Sequence, residues 1–201
     1  MSSEERRMVV ASDGSCLGGP GGPIGWGWVR DDGAWLSNGF WTGTNQRAEL
    51  WGLLSVLLAH PTGNIKIQMD SQYALNIGES WAAKWAKQGW TLKGNRPVQN
   101  LDLVMPIYEQ VSIRTDPLEF EWVKGHSGHG LNEEADKRAR EGSKRASKVS
   151  GDVESLTLYR DVKGRHSNKF QNRMMVDVID GKTGTPPNRA EMYSLFDDIA
   201  L

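Results

Sequence analysis

The 201-residue chain carries 24 lysines and arginines against 25 aspartates and glutamates. A net charge of −1 excludes a polycation that grips nucleic acid by bulk attraction, so any such grip must come from a local patch. The single cysteine, Cys16, excludes an internal disulfide framework and an all-cysteine metal site, and fits a reducing compartment. The opening MSSEERR has no apolar run behind it, and the most apolar stretch, residues 53–59, falls far short of the ~20 residues that span a bilayer. These features predict a cytoplasmic globular protein with no membrane partner and enough chain to bury its own core.

In chain order, Met8 to Ser12 is a short apolar run of the kind a buried central strand makes. Residues 24–30 and 34–42 are rich in aromatic and β-branched side chains, and Asp31-Asp32-Gly33 between them predicts a hairpin turn. From Asn45 to His60 apolar residues occur almost all round, which predicts a mostly buried helix that Pro61 ends. Residues 65–69 alternate as a strand does. Helical segments follow around 71–77, 81–88 and 100–112, then a last strand over 118–123 and a last helix from Leu131 to about Ser143. Three early strands, a helix, and then alternating strands and helices predict an α/β fold with a mixed sheet and helices packed on it.

Composition marks a boundary. All nine tryptophans lie before residue 123, and from Glu141 the text turns small and basic, EGSKRASKVSGD. This predicts a main domain over residues 1–145 and a C-terminal extension over 146–201. From residue 142 onward the charge is split: residues 142–176 carry net +5 and residues 177–201 net −3. Leu156 and Leu158 alternate as a short strand would, and residues 174–179 are a second strand candidate. Asn188 with Glu191 three positions on forms a helix-start signal for a helix burying Met192, Leu195, Phe196 and Ile199. The extension therefore reads as a strand–strand–helix element that either binds nucleic acid through its basic half or serves as a cap or docking piece for a partner.

Four carboxylates stand where the pattern would rather have something else. Asp13 follows the first apolar run, Glu49 interrupts a greasy helix, Asp70 closes the strand over 65–69, and Asp136 lies early in the last helix. Asp13 and Asp70 read equally well as turn formers or helix caps. Glu49 is harder to dismiss, because no cation stands three or four residues C-terminal to it, and Arg47 points elsewhere. A buried carboxylate needs a base or a metal as its partner. Hard oxygen donors without cysteine or paired histidine suit Mg²⁺ or Mn²⁺, and a zinc site from His126 and His129 lacks further soft ligands.

The segments Asp13-Gly-Ser-Cys16, Thr44-Asn-Gln-Arg-Ala-Glu-Leu50, Asp70-Ser-Gln-Tyr73, Trp81…Trp85…Gly89-Trp90, Arg96-Pro-Val-Gln-Asn100 and Trp122-Val-Lys-Gly-His-Ser-Gly-His129…Asn132-Glu-Glu-Ala-Asp136 resemble ribonuclease H of the type 1 branch. They occur in the family's order and near its spacing, over roughly residues 8–140. The resemblance implies the ribonuclease H-like fold, with a five-stranded mixed sheet flanked by helices. It implies a metal-dependent endonuclease that cuts the RNA strand of RNA–DNA hybrids and leaves 5′-phosphate and 3′-hydroxyl ends. Asp13, Glu49, Asp70 and Asp136 would hold two Mg²⁺ ions, replaceable by Mn²⁺, with Asp13 bridging them. His126, on a glycine-flanked loop, would assist proton transfer or product release.

The same resemblance implies the substrate contacts. Asn45 and Gln46 would reach base edges in the minor groove, while Thr44 and Asn100 would hold a phosphate of the DNA strand. Cys16 and Gln72 would belong to the same contact surface, beside the backbone of the glycine-rich loop over residues 15–22. Residues 81–100 contain Lys84, Lys87, Lys93 and Arg96 and no acid, a local charge of +4. This matches the family's basic protrusion, in which Lys84, Lys87 and Lys93 would meet phosphates and Trp85 and Trp90 would stiffen or line the groove. Where many bacterial members read Gly-Asn-Pro after the Asp-Gly-Ser-Cys motif, this chain has Gly18-Gly19-Pro20, so one side-chain amide is missing. A nucleotide triphosphatase does not fit, since no Gly-Lys-Ser/Thr follows the glycine loop. A hybrid-binding module without catalysis would lack a carboxylate. A transposase- or integrase-like protein would usually end its ligand set in glutamate and lack the Trp-Val-Lys-Gly-His segment. A monomer acting on a hybrid duplex is the expectation.

Overall fold

The computed structural model describes residues 6–148 and 159–161. Five strands form the sheet that carries the fold: β1 (Met8–Cys16), β2 (Ile24–Arg30), β3 (Trp35–Phe40), β4 (Ile65–Met69) and β7 (Leu118–Trp122), in the order β3-β2-β1-β4-β7. The first three make an antiparallel meander, whereas β4 and β7 join parallel to β1. A short strand β8 (Tyr159–Asp161) pairs antiparallel with β3 and widens the sheet to six. The strand predicted at Leu156–Leu158, the one over 174–179 and the helix from Asn188 lie outside the described residues.

Helix α1 (Asn45–Ala59) packs on β1 and β2, and α5 (Gly130–Ala146) packs on β1, β2 and β3. They occupy opposite faces, because Gly14 abuts α1 while its neighbour Ser15 receives the Ser143 hydroxyl of α5 at 3.3 Å. Both helices sit unusually close. A Cβ at Gly14 would lie 2.6 Å from the Ala48 carbonyl carbon and nearer still to the Glu49 amide, so glycine is required there for α1 to seat on the strand. On the other face, Gly25, Gly27 and Gly39 leave the same kind of room for Arg138, Ala139 and Gly142. The core between sheet and α1 is rich in tryptophan: Trp26 stacks on Trp51 at 5.1 Å, and both meet Phe40.

The first strand runs further than the apolar pattern predicts. It continues past Ser12 through Asp13 to Cys16, because those residues pair with Gly27 through Ile24 of β2. Asp13 is therefore inside a strand, not after one. The two helical segments predicted after Asp70 are a single run. Helix α2 (Gln72–Asn76) passes through a wide π turn at residues 77–81 into α3 (Ala82–Lys87). After it comes a two-rung hairpin, β5 (Thr91–Leu92) with β6 (Arg96–Pro97), and then α4 (Leu101–Ile113). No helix among the described residues is long and apolar enough to cross a membrane.

Candidate active site

Three elements converge where β1 and β4 lie side by side. Strand β1 contributes Asp13, which is buried and accepts a 2.7 Å hydrogen bond from the Gly14 amide. Helix α1 contributes Glu49, also buried, because the missing side chain at Gly14 lets this turn of helix settle onto the strand. Asp70 follows the last residue of β4 and precedes Ser71, whose hydroxyl caps α2 by accepting from the Ala74 amide. Carboxylate oxygens of Asp13, Glu49 and Asp70 all lie within 4.8 Å of one another.

Such crowding has an electrostatic signature. Burial, then the neighbouring charge of Asp70, pushes the Asp13 carboxyl up to about 7, with Asp136 adding to the effect and Arg140 opposing it. Burial, then Asp13 and Asp70, drives Glu49 well above the usual carboxylate range. One oxygen of Glu49 accepts from the Asn45 amide at 3.4 Å; the other is buried and has no hydrogen-bond partner among the described residues. A cluster of carboxylates that shifts its own titration upward and keeps a buried oxygen unpaired is a cation receptor in its donor chemistry. Among the described residues only hard oxygen donors converge there, which fits Mg²⁺ or Mn²⁺ and not a thiophilic metal.

Asp136 stands in the second turn of α5, half-buried, and acts electrostatically on Asp13. Its carboxylate is held by Arg140 one turn further on, at 2.8 Å. It is thus at the edge of the trio, turned toward a base of its own helix. His126 lies on the exposed loop between β7 and α5, with φ of +53°. That loop passes directly over Asp70: a Cβ at Gly125 would fall 2.5 Å from a carboxylate oxygen of Asp70. The far side of the loop is tied to α5, since the Gly128 amide donates to Glu133 at 3.1 Å. Trp122, half-exposed, donates its indole N–H to the Asp70 carbonyl at 3.0 Å.

The residues expected to touch substrate fall into two groups. Near the carboxylates, Thr44 caps α1 by accepting from the Arg47 amide, and exposed Asn45 and Gln46 form the first turn. Gln72 opens α2 and is exposed. Asn100 precedes α4 in the left-handed region (φ +54°) and donates to the Tyr73 hydroxyl at 3.1 Å. Cys16 ends β1, where its thiol donates to the Gly19 carbonyl at 3.0 Å and burial raises its pKa. Further off, Lys84 and Lys87 of α3 and Lys93 of the hairpin turn are exposed. Trp85 meets Trp81 at 5.7 Å between ring centres, and Trp90 is packed edge-on against Tyr108 of α4 at 5.5 Å. A cleft is lined by Tyr73, Trp81, Trp85, Leu92 and Arg96, and Tyr73 on its wall accepts from the Asn100 amide.

Some functional neighbours were not visible in the sequence. The Arg47–Asp102 ion pair spans 55 positions, and the indole of Trp122 on the Asp70 backbone spans 52. The Asp136–Arg140 pair was accessible from its i,i+4 spacing.

The sequence profile of the family described as RNase H matches residues 5–144. The chain belongs to the RNase H family of enzymes. Ribonuclease H from Pseudoalteromonas atlantica (strain T6c) is 40% identical over 140 residues, covering 68% of this chain and 90% of that protein. Ribonuclease H from Tropheryma whipplei (strain Twist) is 34% identical over 148 residues, covering 73% and 90%. Among solved structures, LC9-RNase H1, described as a type 1 RNase H with the type 2 active-site motif, superposes with a TM-score of 0.63 at 24% identity, over 80% of each chain. A foamy viral protease-reverse transcriptase in complex with an RNA/DNA hybrid gives 0.59 at 20% identity, over 68% of this chain and 20% of that one. These likenesses bear on the fold, and they agree with the RNase H-like sheet described above.

Proposed function

We propose that this RNase H family enzyme cuts the RNA strand of RNA–DNA hybrids with two Mg²⁺ ions, leaving 5′-phosphate and 3′-hydroxyl ends. The observation that carries the reading is the trio Asp13, Glu49 and Asp70, with oxygens within 4.8 Å and one buried Glu49 oxygen unpaired among the described residues. In this reading Asp13, Glu49 and Asp70 would hold the ions, and Asp136 would join them once its carboxylate turned from Arg140. Bound there, the ions supply activation of a water and stabilisation of the leaving oxygen; Mn²⁺ serves the same donors.

The remaining work falls to the chain itself. His126, exposed on a loop anchored at Asp70 and Glu133, exchanges protons with the reacting phosphate or its product through Nδ1 or Nε2. Asn45 and Gln46 meet base edges from the first turn of α1. Thr44 keeps a free hydroxyl hydrogen for a DNA-strand phosphate, because its oxygen already accepts from the Arg47 amide. Lys84, Lys87 and Lys93, with Arg96, meet phosphates further along the duplex, with Trp85 and Trp90 holding their platform and Cys16 and Gln72 lining the approach. Recognition of a hybrid then rests on 2′-hydroxyls being present on one strand and absent on the other.

The same reading makes the protein a cytoplasmic monomer with a catalytic domain over residues 1–145. The extension over 146–201 adds affinity through its basic half. The test is cleavage of an end-labelled RNA–DNA hybrid in Mg²⁺, beside single-stranded RNA and both homoduplexes. Hybrid-specific cutting with 3′-hydroxyl products is expected, and equal cutting of duplex RNA would overturn it.

A further inference from the structure

Arg47 binds three partners at the junction of α1 and α4. Its guanidinium holds Asp102 with two nitrogens, at 3.0 and 2.5 Å, and one of these also donates to the Asn100 carboxamide oxygen at 3.4 Å. Its backbone amide donates to the Thr44 hydroxyl at 3.3 Å. At the other end of the carboxamide, the Asn100 nitrogen donates to the Tyr73 hydroxyl at 3.1 Å. Arg47 is therefore connected to both residues assigned above to a DNA-strand phosphate.

A carboxamide has two ends of opposite polarity, and rotation by half a turn exchanges them. Only the nitrogen end can donate to a phosphate oxygen; the oxygen end would repel it. Guanidinium offers donors and no acceptor, so the end of Asn100 beside Arg47 must be the oxygen. That turns the nitrogen away from Arg47, with one hydrogen on Tyr73 and the second without a partner among the described residues. The same guanidinium covers Asp102, whose carboxylate would otherwise stand bare beside an incoming phosphate. We infer that Arg47 is a positioning residue that sets the donor polarity of Asn100 and screens Asp102, and so tunes the grip on the DNA strand without touching it. The inference rests on Thr44 and Asn100 being the phosphate-holding pair.

The experiment is steady-state cleavage and thermal melting of the full chain as wild type, Arg47→Ala, Arg47→Lys, Asn100→Ala and Arg47→Ala/Asn100→Ala, with a labelled RNA–DNA hybrid. Arg47→Ala is expected to raise KM about tenfold, in the range of one hydrogen bond to a charged group. In the Asn100→Ala background most of that rise should vanish, although the loss of Tm persists. Lysine can neutralise Asp102 but lacks the fork to hold Asn100 as well, so Arg47→Lys should recover Tm and leave KM raised. Tm and KM recovering together would make Arg47 structural only. Fully additive KM effects of Arg47→Ala and Asn100→Ala would overturn the coupling. An unchanged KM in Asn100→Ala would instead remove the phosphate assignment on which the inference stands.

Discussion

The carboxylate trio and the basic protrusion carry opposite charge on opposite kinds of scaffold. Asp13, Glu49 and Asp70 are fixed by the sheet and the helix seated on it, with a contact so close that position 14 has no room for a side chain. Lys84, Lys87 and Lys93 stand exposed on one short helix and a two-rung hairpin. The backbone around that hairpin has positive φ at Gly89, Trp90, Gly94 and Asn95. Buried like charges need a rigid frame to stay together, because burial and neighbouring charge disfavour the ionised forms of Asp13 and Glu49. Exposed like charges need only an attachment point, since water and salt screen them. The first arrangement suits chemistry at one point, and the second suits attraction along a polyanion.

This contrast can be broken from either side. The largest expected effect is at the trio: Asp70→Asn should lower kcat for hybrid cleavage on the order of a thousandfold or more, while hybrid binding persists. In metal-free buffer the same change should raise Tm, because it removes one charge from a crowded cluster. Full turnover in Mg²⁺ would refute the assignment of Asp70 as a ligand. At the protrusion, Lys84→Glu, Lys87→Glu and Lys93→Glu combined should weaken hybrid binding about a hundredfold at low salt and flatten the log–log salt slope by about one unit per lost contact. A slope identical to wild type would show that these lysines touch no phosphate.

Two glycines sharpen the comparison in terms of stability. Gly14→Ala puts a methyl group into the backbone of α1 and should cost about 3 kcal/mol in urea unfolding, with activity falling as Glu49 is displaced. Gly94→Ala meets open space and only the strain of φ +81°, so about 1 kcal/mol is expected. Equal costs at the two sites would mean that α1 can shift on its seat.

The smallest effect is a drift with pH. Asp13 sits near 7 in the folded chain and at 3.8 as a free side chain, and Glu49 is raised as well. Between those values the folded state binds more protons than the unfolded one, so stability falls as pH rises from about 4 to 7. Metal-free protein should lose on the order of 5 °C in Tm between pH 5 and 7.5. Saturating Mg²⁺ should flatten that curve, and a metal-free curve that rises over the same range would contradict the crowding.

How much of this was legible follows from where periodicity speaks. Helix α1 announces itself because it is apolar all round, and β4 because residues 65–69 alternate in both sequence and burial. Glu49 stands out against its greasy helix, which is why it could be singled out from the text, whereas Asp70 at the strand end read equally well as a helix cap. Strand β1 could not be followed past Ser12, since Asp-Gly-Ser-Cys is polar and only its pairing with β2 makes it a strand. The β5–β6 hairpin is built by left-handed backbone at glycine and asparagine, and two-residue strands leave no period to detect. The Arg47–Asn100–Tyr73 chain joins residues far apart in sequence, so no local signal could report it.

The two borders of the sheet also differ, with a consequence for how the protein behaves at high concentration. An open strand edge is a template for pairing with another molecule. On β7 the edge carries Glu119 and Glu121, engaged by Arg7, Lys66 and Gln68, so that border is dressed in charge. On β3 the border runs through Trp35, Leu36, Ser37, Asn38, Gly39 and Phe40 with no charged side chain, and Tyr159–Asp161 pairs along its first three residues. A chain cut before residue 159 would leave that uncharged border bare. Self-association would then begin edge to edge through β3, on the other side of β2 from the strand that carries Asp13.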